Sequence, residues 1–151
     1  MVLGLVLCAG PALAQARQCL HMGLENPVEV RRREDALAAA RLINMAMERG
    51  GRLPNQQPVY QTWEELASST TVASLRGMGG PLGDVARRMA WGSDEPLSGW
   101  EIHHVTRQGA YAFSLTDIRD PCGFTYYSNN TGPIIEGYPV SGGRARLMPI
   151  T

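Results

Sequence analysis

The chain contains no lysine: all fourteen of its basic residues are arginine. That absence excludes Schiff-base chemistry and any general-base lysine. It also lacks an excess of either charge, with fourteen acids against fourteen arginines. Without a net positive field it has nothing to neutralise a run of phosphates, so nucleic acid is not an expected partner. Cysteine is scarce, with three in the chain. None has a neighbour at the C-x-x-C spacing of a zinc site, so no metal and no cofactor is expected.

What remains is an ordinary globular composition: 151 residues, 44% hydrophobic and 19% charged. A single domain of this length hides roughly two-thirds of its unfolded surface and can hold a true core. The first fourteen residues, MVLGLVLCAGPALA, are apolar or small, broken at Gly10-Pro11 and closed by Ala12-Leu13-Ala14. That is the pattern of a secretory signal with an A-x-A cleavage site, leaving a mature chain from Gln15. Its apolar run of about ten residues is half of what a bilayer span needs, so no membrane span is expected after cleavage. The compartment implied is periplasmic or secreted, and the two cysteines left after cleavage, Cys19 and Cys122, read most simply as one disulfide.

Asn26-Pro27-Val28-Glu29 opens a helix, with Asn26 as N-cap, Pro27 where its missing N–H is harmless, and Glu29 placed to reach back. The pattern runs unbroken to Arg49, and Gly50-Gly51 stops it. Ala36, Ala39, Ala40, Ile43, Ala46 and Met47 share one face. Arg31-Arg32-Arg33, followed by Glu34-Asp35, wraps around the rod and reads as a solvated face. Residues 52–60 read as a proline-bearing loop, and Thr62-Trp63-Glu64-Glu65 as a capping box opening a short helix. Residues 68–83, rich in Ser/Thr and then in Gly, read as a flexible loop, followed by a short helix from Asp84 to Trp91.

The last third changes period. Trp100 to Arg107, Ala110 to Thr116, Phe124 to Ser128 and Ile134 to Val140 are aromatic and β-branched runs joined by short polar links. They predict a four-strand antiparallel meander covered on one face by the alanine-rich helix, an α+β fold. Residues 141–151 read as a loose tail. The domain therefore spans residues 15–140.

Chemistry-bearing residues are few. His103 and His104 are strand neighbours and point to opposite faces, so they cannot serve one ion or one proton transfer. Ser114, His104 and Asp117 compose a hydrolytic triad only on paper, with no G-x-S-x-G elbow behind it. Asp117, Asp120 and Glu136 lack the spacing of a calcium loop, and Asn129-Asn130-Thr131 is an isolated sequon. No catalytic residue is nominated. Trp91, Trp100 and Tyr138 are the candidate interaction surface.

The order of these elements resembles the globular half of type IV pilins and type II secretion pseudopilins. It is carried by Asp35-Ala36-Leu37-Ala38-Ala39-Ala40-Arg41-Leu42-Ile43-Asn44, the short Trp63-Glu64-Glu65-Leu66 helix and the closing run from Asp120-Pro121-Cys122-Gly123 to Ile134-Ile135-Glu136-Gly137. Those families have a long apolar anchor helix, whereas here Arg31-Arg32-Arg33-Glu34 stand where apolar residues would sit. The resemblance thus implies a soluble pilin-like module of a Gram-negative envelope, non-enzymatic and working through a protein partner. A small periplasmic enzyme inhibitor and a small secreted hydrolase are the alternatives.

Overall fold

Asn26 caps the first helix by accepting from the Val28 N–H at 3.0 Å. In the computed structural model, which describes residues 19–20, 26–50, 58–140 and 144–149, this helix, α1, runs Pro27–Gly50. The leader expected over residues 1–14 and most of the loop after α1 lie outside the described residues. Glu29 does not reach back to the cap; it turns sideways to Arg32 and Arg119. The alanine face is as expected: Ala36, Ala39, Ala40 and Ala46 are fully buried, with Leu42, Ile43 and Met47 beside them. Small side chains let the helix lie close against β-structure, and α1 packs on the second and third strands of the sheet.

That sheet is an antiparallel meander. β1 (Trp100–Arg107), β2 (Ala110–Asp117), β3 (Thr125–Asn129) and β4 (Ile135–Val140) follow one another in space as in sequence. In β2 the alternation is complete: Tyr111, Phe113, Leu115 and Asp117 are buried under α1, and the residues between them are not. Leu115 stands opposite Ile102 on one side and Tyr126 on the other, which lines up one row of the core across three strands. Trp100 stacks on Tyr126 with centroids 5.8 Å apart, and Phe124 meets both edge-on. A long helix on a four-strand antiparallel sheet, with short helices between, is the fold class expected from the sequence.

Three parts differ from expectation. A fifth strand, β5 (Arg144–Pro149), returns antiparallel along β4 where a loose tail was expected, with Val140 opposite Arg144 and Ile135 opposite Pro149. An unpaired β4 edge offers a ladder of free backbone groups, and pairing satisfies them. Residues 68–83 are not a flexible loop. After α2 (Trp63–Leu66), which has the expected capping box, Ser69 caps α3 (Thr70–Arg76), and Val72 and Leu75 are buried. The serine and threonine run is a helix start, and its two apolar residues at i and i+3 make the buried face.

The third difference is α4, which spans Gly80–Arg88 and leaves Asp84 inside the helix, paired with Arg87, instead of capping a helix that runs to Trp91. Here one glycine is a packing device. A Cβ on Gly83 would lie 1.9 Å from the Met78 carbonyl oxygen, so only glycine lets α4 pass so close to the end of α3.

Candidate functional site

The sheet brings two polar constellations against α1, one near each end of the helix. The first gathers on Asp117, which is 2% exposed at the end of β2. Its Oδ1 accepts the Arg119 N–H at 3.0 Å and the Asp120 N–H at 3.3 Å, and its Oδ2 accepts from Arg32 Nη2. Arg32 in turn donates from Nε to Glu29 at 2.9 Å, one helical turn earlier, and Arg119 Nη2 donates to the same carboxylate at 3.2 Å. The Arg32 guanidinium lies 5.1 Å from the centroid of the Trp100 ring, a cation–π contact. The arginine triplet is therefore not a solvated face throughout: Arg31 is exposed, but Arg32 enters the protein because a buried carboxylate and an aromatic face await it there.

Beside this cluster a pocket of about 200 Å³ is lined by Arg32, Asp35, Arg88, Ser98, Trp100 and Arg119. Arg88 grips Asp35 through both of its terminal nitrogens, each at 2.9 Å. Gly99 makes room for Arg119: its φ is +78°, and an added Cβ would stand 2.9 Å from the Arg119 Cδ. The same end of the sheet carries the Cys19–Cys122 disulfide. Asp120 Oδ1 accepts both the Leu20 N–H at 3.2 Å and the Cys122 N–H at 2.9 Å, so the segment ahead of α1 is sewn to the β2–β3 turn by a covalent bond and a shared carboxylate. Cys19, Asp120 and Cys122 are the one grouping of three potential metal ligands among the described residues. With both sulfurs joined, thiolate ligation is closed to it.

The second constellation is centred on Asn44. Its Nδ2 donates to Ser128 Oγ at 2.8 Å and to the Gly132 carbonyl at 3.1 Å, while its Oδ1 accepts the Tyr111 hydroxyl at 3.0 Å. The Ser128 hydroxyl donates in turn to the Pro133 carbonyl at 2.9 Å. This knot ties α1 to β2, β3 and the β3–β4 turn. Burial first, with the Glu48 carboxylate nearby second, raises the Tyr111 hydroxyl pKa well above the ordinary tyrosine range, so it stays a donor.

His103 and His104 part as strand neighbours should. His103 is exposed on the outer face of β1, and His104 is half-buried against Trp63 with ring centroids 6.5 Å apart. Burial lowers the His104 pKa, and the pull of Glu64 in the other direction is smaller. Both histidines border a polar recess at the edge of the sheet with Glu64 and Asp94. Ser114 stands opposite His103 on the outer face, while Asp117 is committed to Arg32 on the inner one. Ser114, His104 and Asp117 do not assemble. Asp117 and Asp120 meet at the β2–β3 turn, whereas Glu136 sits on β4 opposite Tyr126. Asn129 of the sequon folds its side chain onto its own turn, accepting from the Thr131 N–H at 2.9 Å.

The expected interaction surface does not hold for two of its three members. Trp100 is fully buried and Trp91 is 6% exposed, each a core residue, because the bulkiest rings contribute most when removed from water. Trp91 donates its indole N–H to the Ala86 carbonyl and packs on Trp63. Tyr138 is half-buried on β4. The Gly-rich part of the segment expected to be flexible forms the α3–α4 junction and the first turn of α4.

Sequence reasoning missed the pocket formed by Arg32, Arg88 and Arg119. The Glu29–Arg32 spacing of three was a local signal for one of its pairs; the partners 85 and 53 residues away had none. The chain matches no family model, no curated protein and no solved structure. Among the described residues no helix is long and apolar enough to cross a membrane.

Proposed function

We propose that this chain is an exported, non-enzymatic, pilin-like structural or adaptor module of the bacterial envelope, acting in the periplasm or outside the cell through a protein partner. The observation that carries the reading is the Cys19–Cys122 bond, which joins the segment before the long helix to the β2–β3 turn and makes helix and sheet one body. Disulfides of this kind persist in oxidising compartments. Closing a loop with a sequence separation of 103 stabilises the fold by about 4 to 5 kcal/mol on the chain-entropy account.

The rest of the architecture suits a body that works by shape. The outer sheet face, where His103, Val105 and Tyr127 stand among small residues, has no helix on it among the described residues, and Val105 is 55% exposed. Beyond Ile102, whose N–H is taken by the Asp94 carbonyl, β1 is an edge strand able to pair with a partner.

The test is photo-crosslinking in the native cell from a benzophenone amino acid placed at Val105 or, as a second site, at Ile118, an exposed residue of the β2–β3 turn. Capture of a pilus or secretion component by the oxidised protein is the expected result. Capture of a degradative enzyme through its active-site cleft would replace this reading with that of an inhibitor.

A further inference from the structure

β1 is one of the two edges of the sheet, with β2 as its one strand partner among the described residues. In an antiparallel pair each residue turns its N–H and C=O together, either toward the neighbouring strand or away from it. Trp100 and Ile102 give the parity, because their N–H groups go to the Leu97 and Asp94 carbonyls and not to β2. The β1–β2 register runs without a break, so His104 and Thr106 also turn their main-chain groups away from β2. Among the described residues nothing takes those groups. The first half of the edge is closed by its own chain, and the second half is open.

The open half runs beside the recess of about 290 Å³ whose lining includes Thr62, Trp63, Glu64, Asp94, His104 and Thr106. Its charge has one sign. Glu64 and Asp94 are exposed carboxylates with no ion pair among the described residues, and no arginine lines the recess, whereas Glu29, Asp35 and Asp117 each hold an arginine elsewhere. Burial disfavours the charged form of the His104 ring, so at neutral pH it does not offset them. His103 stands on the other face of the strand, 3.9 Å from Glu101. On that outer face Val105 is 55% exposed.

We infer that the open half of β1 is a docking edge for an extended segment of a partner protein, one that sets an arginine or lysine opposite His104 between two apolar, β-branched residues. The main chain of the segment pairs with the outward N–H and C=O groups of His104 and Thr106. Side chains alternate across an added strand, so the residue facing the recess brings its cation to Glu64 and Asp94. Its two neighbours fall on the outer face, where the exposed Val105 gives them an apolar contact. The inference rests on the reading of β1 as a partner's edge and not on the envelope role.

The alternation of β1 makes the test internally controlled. The oxidised, ¹⁵N-labelled full chain is titrated with a capped peptide of sequence Thr-Val-Arg-Val-Thr. The expected result is that the His104 and Thr106 amides shift saturably and become protected from solvent exchange, while the Val105 amide, which faces β2, is protected throughout. The same peptide with glutamate in place of arginine, or with alternate backbone nitrogens methylated, should leave them unchanged. Glu64→Gln together with Asp94→Asn should raise the half-saturating concentration roughly three- to tenfold. Thr106→Pro removes a donor that faces away from β2, so the meander stands and binding is lost. No saturable response at His104 and Thr106, or an equal response to the glutamate peptide, overturns the inference. So does sedimentation showing that the free chain self-associates and that Thr106→Pro dissolves the assembly, since the occupant is then a second copy. The assay needs neither the cell nor a native partner: its failure with capture from Val105 intact sinks the peptide edge alone, and failed capture with binding intact sinks the envelope role alone.

Discussion

The long helix carries a polar side chain into the core near each end, and the two are finished differently. At Asn44 both amide protons and the amide oxygen are paired, and Ser128, Tyr111 and the Gly132 carbonyl are the groups that pair with them. At Arg32 the network closes on Asp117 and Glu29 but leaves one guanidinium nitrogen and the neighbouring indole open. A buried amide that is fully paired acts as a lock, specifying how helix and sheet register. A charged cluster with open donors has the same cost of burial without its full return, so it holds helix to sheet by charge and not by complete pairing.

The largest effect should come from opening the arginine end. Asp117→Ala leaves the buried Arg32 with Glu29 as its one carboxylate partner and frees the Arg119 and Asp120 amides, so a loss of about 2 to 4 kcal/mol is expected in urea unfolding. If the loss is under about 1 kcal/mol, the cluster is wet and the contrast between the two ends disappears. At the other end, Asn44→Leu should cost about 1 to 3 kcal/mol, since it takes the donor from the fully buried Ser128 Oγ and one partner from the Tyr111 hydroxyl. A loss under about 0.5 kcal/mol would show that this knot is not a lock.

His104 sharpens the comparison through pH. Its folded pKa lies below the unfolded value of 6.5 because burial disfavours the charged ring, so the unfolded chain takes up the proton first. Stability from this group is fully present above pH 6.5 and falls as pH drops below it, by at most about 1.4 kcal/mol per pH unit. His104→Phe should flatten that part of the stability profile, read by thermal unfolding between about pH 7 and 5, a window set by the histidine pKa. The smallest effect is expected at Ser69→Ala, about 1 kcal/mol, for loss of the α3 cap on the Val72 N–H. A neutral result there would mean that α3 is held by Val72 and Leu75 alone.

Local rules made the helix and the meander legible. The Asn26-Pro27 opening, the alanine stripe and the alternation of Tyr111, Phe113 and Leu115 are each set within a few residues, and each stands in the structure as read, save that Glu29 turns to Arg32 and Arg119 and not to the cap. The Cys19–Cys122 bond was legible for another reason, because reading residues 1–14 as a leader leaves one possible pairing. The short helices α3 and α4 were obscured by composition. Gly83 looks like a breaker until the close approach of Met78 shows why no other residue fits. The arginine pocket was not legible at all. It joins α1, the end of α4, the start of β1 and the β2–β3 turn, and nothing in a run of three arginines says that the middle one will meet an aspartate 85 residues away.

The account rests on a body assembled with its sulfurs joined. Intact mass of the protein taken from its native cell, alkylated before and again after reduction, tests this most directly. The predicted result is a chain beginning at Gln15 that takes up no alkyl group until reduced and then takes up one at Cys19 and one at Cys122. A chain that retains its first fourteen residues and is labelled on both of those cysteines without reductant would contradict it.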